Sequence, residues 1–187
     1  MNTLIQSLTY FRILSAPIIF VLVAIFNFYG SALLLLILAS LSDYWDGYLA
    51  RKYQLESVMG SILDPIADKI LIAFVILALS LALSSYYIGF IGGLILAREF
   101  WVAALREINA RHDNLEATKV TFLAKAKTFS QLTSFIMYLF GLYLGNQLII
   151  FLAHFLIFAS LIITLQSGLE YTARTFTLLH SKKHGQG

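Results

Sequence analysis

Apolar residues run along this chain in six blocks, each interrupted only by a few polar positions. The blocks fall at about 9–29, 31–51, 61–84, 86–106, 120–144 and 147–169. A bilayer core roughly 30 Å thick takes about 20 apolar residues in helix to cross, so each block is long enough to span. The pattern predicts an all-α, polytopic membrane protein with six transmembrane helices and very little chain between them. Met1–Gln6 carries no basic residue and no small-residue cleavage site precedes the second block, so the first block is expected to remain as a span.

Composition supports this reading. Of 187 residues 59% are hydrophobic and only 12% charged, against about 25% charged in soluble domains. Too few charges remain to cover a water-facing surface, which excludes a soluble globule, a disordered tail and a nucleic-acid module. No cysteine is present, so there is no disulfide framework, thiolate nucleophile or Cys-ligated zinc.

The distribution of charge matters more than its sum of +3. The connections Asn27–Ser31, Ser84–Tyr87 and Gly145–Gln147 hold no lysine or arginine, and all 13 basic residues lie on the other side or in the helix halves opening to it. The bias predicts cytoplasmic N- and C-termini. The whole chain reads as one membrane domain, with residues 171–187 as a solvated cytoplasmic tail whose lysines lie near anionic headgroups. Gly89-x3-Gly93 and Gly141-x3-Gly145 have the spacing that lets helices approach closely. His154, alone on an apolar helix, reads as a packed or hydrogen-bonded residue.

Ionisable groups inside spans are costly and point to function. The second block ends Asp43-Tyr-Trp-Asp46-Gly47-Tyr-Leu-Ala50-Arg51, and positions 43, 46, 47 and 50 share one helical face. The third opens Gly60-Ser61-Ile-Leu-Asp64-Pro65-Ile-Ala-Asp68-Lys69, with Asp64 and Asp68 one turn apart. Ser61 is the expected N-cap, with Asp64 in the first turn and Pro65 too early to break much hydrogen bonding. An antiparallel third helix packed on the second is expected to bring the four aspartates together.

Carboxylates that close stay ionised only with a cation among them. Oxygen donors without cysteine or clustered histidine suit Mg²⁺, Mn²⁺ or Ca²⁺; the competing reading pairs the aspartates with Arg51, Lys52 and Lys69. A metal site at the cytoplasmic face suits a phosphorylated substrate. Arg98 and Arg106, eight residues apart and so on one face, and Lys125 and Lys127 form a second, basic group. Arg98 lies roughly 12 Å deeper than Arg106 and is expected to face a cavity rather than snorkel.

Read as Asp43-x2-Asp46-Gly47-x2-Ala50-Arg51-x8-Gly60-x3-Asp64-x3-Asp68, the segment resembles the signature of the CDP-alcohol phosphotransferases, eight fixed residues over 26 positions. The resemblance implies six transmembrane helices, a homodimer, and transfer of the phosphoryl group of a CDP-linked lipid to an alcohol with release of CMP. It implies Asp43, Asp46, Asp64 and Asp68 as ligands of one or two Mg²⁺ or Mn²⁺ ions and Asp68 as general base. It further implies that Asp43, Asp46, Gly47, Ala50, Arg51 and Gly60 bind the CDP moiety.

Similarity extends through Leu8-Thr-Tyr-Phe-Arg12, Ala97-Arg-Glu99, Leu105-Arg-Glu107 and Lys125-Ala-Lys-Thr128 with Gln131. These pieces imply CDP-diacylglycerol as donor, sn-glycerol 3-phosphate as acceptor and a bacterial cytoplasmic membrane as location. Guanidinium forks suit the acceptor's phosphate, making Arg98, Arg106, Lys125 and Lys127 its expected partners. Inositol phosphate, serine and phosphatidylglycerol are the sibling acceptors. A small cation transporter would need charged steps across the membrane, and the outer halves of the spans hold no acidic or basic residue.

Overall fold

The structure is a computed structural model that describes residues 2–53, 58–111 and 122–184. Among the described residues six helices stand in chain order: α1 Asn2–Ala24, α2 Tyr29–Tyr53, α3 Val58–Ala82, α4 Tyr86–Arg111, α5 Phe122–Leu144 and α6 Gln147–His184. Four of them, α1, α2, α4 and α6, are long and apolar enough to cross a membrane by length and composition. The other two open on their polar ends, with Asp64, Asp68 and Lys69 in α3 and Lys127 and Gln131 in α5.

The helices form a closed ring in the order α1–α2–α5–α6–α4–α3, with α1 packed between α2 and α3. Each helix buries one stripe with a period near 3.5, and the stripe changes character along its length. In α1 it runs Val23, Ile19, Ala16 and then Ser15, Arg12, Thr9; in α4, Ile88, Ile91, Ile95 and then Arg98 and Asn109. Helix α5 passes from Leu139 and Phe135 to Gln131 and Lys127, and α6 from Ile150 and Ile157 to Thr164, Ser167 and Thr175. One end of the bundle therefore has an apolar core, and the other a core of hydrogen-bonded polar groups. Large apolar residues such as Leu14, Leu34, Phe90 and Phe155 cover the outside, a surface that suits lipid and not water.

The apolar end is closed by three tight turns. Ser84 and Gly145 take positive φ after α3 and α5, and the Ser85 and Asn146 amides reach back to the Ser80 and Gly141 carbonyls at 2.9 Å. This is the left-handed cap that satisfies a helix's last carbonyls. The Asn146 side chain then caps α6 by accepting from the Leu148 amide at 3.0 Å.

The structure changes two expectations. Helix α3 begins at Val58, so Ser61 lies inside its first turn and is no N-cap, and Asp64 and Pro65 fall in the second turn. Helix α6 does not stop near residue 169: it continues to His184. Tyr171 and Thr175 are buried in it, with Thr175 Oγ1 accepting from Asn109 Nδ2 at 2.8 Å. A polar helix face seated on α4 thus replaces the solvated tail over this stretch. The Gly141-x3-Gly145 spacing is used within the chain: a Cβ on Gly141 would lie 2.8 Å from Ile150 Cγ1 of α6, and Gly145, with φ of 64°, supplies the turn, whereas Gly93 has nothing within 4 Å.

His154 is the packed residue its surroundings suggested. Its Nδ1 lies 2.7 Å from the Ile150 carbonyl, and its ring contacts Tyr87 and Tyr138.

Candidate active site

The polar end of the bundle is organised around α1. Arg12 is the one Lys, Arg, Asp or Glu in that helix, and its side chain is 0% exposed. Its Nη1 lies 2.8 Å from Asp43 Oδ1 and 2.8 Å from Asp68 Oδ1; its Nη2 lies 2.8 Å from Asp46 Oδ2. One turn earlier, Thr9 Oγ1 donates to Asp64 Oδ1 at 3.0 Å and approaches Asp46 Oδ2 at 3.4 Å. Two residues of α1 therefore touch all four aspartates.

This differs from the expected contact of α3 on α2. Helix α1 lies between them, and the carboxylates converge through its polar face. Among the described residues no contact pairs the aspartates with Lys52 or Lys69; Arg12 is the cation beside Asp43, Asp46 and Asp68. The side chain of Arg51 lies outside the described residues, as do those of Ala50 and Lys125.

Asp46 is 4% exposed, whereas Asp43 and Asp68 are 51% and 49% exposed. Asp43, Asp64 and Asp68 open on a cavity of about 1340 Å³ lined by α1 to α5. Its far wall carries Arg98, Glu99, Arg106 and Lys127. The carboxylate cluster and the basic group predicted from sequence thus face one chamber. Gly47 and Gly60 lie half-buried on α2 and α3.

The basic wall is itself tied down. Arg98 is buried; its Nη1 donates to Glu99 Oε1 at 3.1 Å and its Nη2 to Ser167 Oγ at 2.6 Å. Lys127 is buried too and pairs with the same Glu99 oxygen. Arg106 Nη2 donates to the Tyr171 hydroxyl at 3.3 Å, with its guanidinium 5.3 Å from the ring centroid. Glu99, Ser167 and Tyr171 had not been singled out for this wall.

One guanidinium among four carboxylates leaves surplus negative charge, and the donors are all hard oxygens. Hard oxygen donors are the type that Mg²⁺ and Mn²⁺ take. Among the described residues no group of three His, Cys, Asp or Glu side chains is placed to hold a metal ion; Asp43, Asp46 and Asp68 each meet the Arg12 guanidinium instead.

Thr9 and Arg12 belong to the Leu8-Thr-Tyr-Phe-Arg12 stretch of the resemblance, which carries no sign of their contact with the aspartates. The signal was a lone cation deep in an apolar helix, which by the cost of burying charge marks a function. Its partners lie 34 and 56 positions away, beyond any local periodicity.

Residues 3–166 match the CDP-alcohol phosphatidyltransferase family. The chain is similar to the CDP-diacylglycerol–glycerol-3-phosphate 3-phosphatidyltransferase of Blochmanniella floridana, 33% identical over 92% of this chain and 90% of that one. It is similar to proteins of the same name from Rickettsia typhi, 42% identical over 71% and 73% of the two chains. Against that of Rickettsia bellii it is 48% identical over 53% and 52%.

Proposed function

The chain belongs to the CDP-alcohol phosphatidyltransferase family, and from that footing we propose that it transfers the phosphatidyl group of CDP-diacylglycerol to sn-glycerol 3-phosphate, giving phosphatidylglycerophosphate and CMP. The observation that carries this reading is the single chamber with acidic groups on one wall and arginines on the other. A diphosphate and a phosphate-bearing alcohol need those opposite environments within reach of each other.

In the proposed reaction the acceptor hydroxyl oxygen forms a bond to the phosphatidyl phosphorus, and the bond from that phosphorus to the CMP oxygen breaks. Asp68, half open to the chamber, takes the hydroxyl proton. Arg98 and Arg106, with Lys127 beside them, hold the acceptor's phosphate and so fix the hydroxyl's distance from Asp68; the forked donors of arginine suit a phosphate better than a point charge does. Asp43, Asp46, Gly47, Ala50, Arg51 and Gly60 make the CDP site, with small residues for close approach. Mg²⁺ or Mn²⁺ held by Asp43, Asp46, Asp64 and Asp68 would neutralise the diphosphate's charge. The all-but-absent charge at the turn end, and the basic residues at the other, support a site on the cytoplasmic face of the cell membrane.

The test is CMP release by purified protein in detergent with CDP-diacylglycerol and Mg²⁺ or Mn²⁺. Glycerol 3-phosphate, serine, inositol 1-phosphate and phosphatidylglycerol are offered in turn, with Asp68→Asn as blank. Release with glycerol 3-phosphate alone, lost on chelation, is expected. Release with another acceptor alone overturns the acceptor and keeps the family.

A further inference from the structure

Among the described residues α6 puts no side chain into the chamber wall, yet three of its residues lie directly behind the arginines. Tyr171 stands one turn beyond both Ser167 (i+4) and Gly168 (i+3), so the three border one another on the buried side of the helix. Ser167 Oγ accepts from Arg98 Nη2 at 2.6 Å. Gly168 lets the stem of the same arginine lie against the helix: a Cβ there would come within 3.0 Å of Arg98 Cγ and 3.2 Å of its Nε. Tyr171, 1% exposed, offers Arg106 both its hydroxyl and its ring face.

A buried guanidinium has several rotamers to choose from and a strong need for acceptors. Ser167 on one Nη and Glu99 on the other hold Arg98 in its orientation, and the Tyr171 hydroxyl and ring together hold Arg106. An arginine held in place loses less entropy when it binds a phosphate than one that must first be ordered. Tyr171 and its neighbours therefore act on the chamber through the arginines and not by touching its contents.

We propose that Ser167, Gly168 and Tyr171 of α6 are positioning residues that aim Arg98 and Arg106 at an anionic acceptor and so set its phosphate specificity. The inference rests on the acceptor reading above and extends it to the part of α6 beyond the family match, which ends at residue 166. The alternative is that these contacts only pack α6 onto α4, as Asn109 and Thr175 do one turn further along, off the chamber wall.

The experiment measures KM and kcat for glycerol 3-phosphate, and KM for CDP-diacylglycerol, in Ser167→Ala, Gly168→Ala, Tyr171→Leu, Tyr171→Phe and Thr175→Val. Ser167→Ala, Gly168→Ala and Tyr171→Leu are expected to raise the acceptor KM by roughly 5–20-fold, with the donor KM and kcat within about twofold. Tyr171→Phe keeps the ring face and is expected to recover most of the loss seen with leucine. Thr175→Val is expected to lower thermal stability without moving the acceptor KM. An unchanged acceptor KM in the α6 variants overturns the inference, and so does an equal rise in Thr175→Val. Failure of the proposed reaction shows in the unmodified protein, which would then not turn over glycerol 3-phosphate, and it overturns both.

Discussion

Arg12 Nη2 and Asp46 Oδ2 meet at 2.8 Å between α1 and α2, with side chains 0% and 4% exposed. Both charges are out of reach of water, and Arg12 is the cation beside Asp46, while Arg12 itself also meets Asp43 and Asp68. Removing one partner of such a pair costs about 3–5 kcal/mol, far more than the pair itself contributes. Arg12→Ala is expected to lower thermal stability in detergent by that order, and Arg12→Ala with Asp46→Asn by distinctly less. A double-mutant cycle with coupling below about 0.5 kcal/mol would show that the two do not depend on each other.

Asp68 shares Arg12 with Asp43 but lies half open to the chamber. Asp68→Asn keeps the shape and removes the base. Turnover is expected to fall by at least about 10²-fold while CDP-diacylglycerol still binds, measured by CMP release beside equilibrium binding of the donor. Retained turnover removes Asp68 from the proton transfer.

On the opposite wall the expected effect is on binding. Arg98→Ala or Arg106→Ala removes a charge-assisted contact worth roughly 1.5–3 kcal/mol, so the acceptor KM is expected to rise by about 10–150-fold with little change in the donor KM. Steady-state kinetics with each substrate varied separately distinguishes this from general damage. An unchanged acceptor KM in both variants places the phosphate elsewhere.

Away from the site, Gly92 makes the α3–α4 contact possible: a Cβ there would lie 2.1 Å from Ile76 Cγ2. Gly92→Ala is expected to cost about 1–3 kcal/mol of stability by overpacking. Ile76→Ala in the same chain is expected to restore part of it by removing the obstructing atoms. Thermal unfolding of the single and double variants decides, and a Gly92→Ala protein as stable as the original refutes the close contact.

Much was legible from sequence because it depends on local spacing. Hydrophobic runs set the number and approximate extent of the helices, since a bilayer demands length and apolarity and little else. The intervals 43–46 and 64–68 put each pair of aspartates on one face, which backbone geometry alone ensures. The same reasoning joined Arg98 to Arg106.

What a helix face meets is a different matter. Asp43 and Asp46 were expected against α3, but α1 lies between, and its Arg12 and Thr9 bind the carboxylates instead. Ser167 and Tyr171 looked like the end of a span and the start of a tail, yet they are buried behind the arginines. Periodicity states which residues share a face and says nothing of the partner, because the order of helices in a ring is set by how all their stripes pack at once. The sequence by itself determined six apolar helices, a carboxylate group and a basic group. Only the tertiary structure decided that both face one chamber, with a buried arginine from α1 at the acidic wall and α6 behind the basic one, because burial of each charge required a partner far away in the chain.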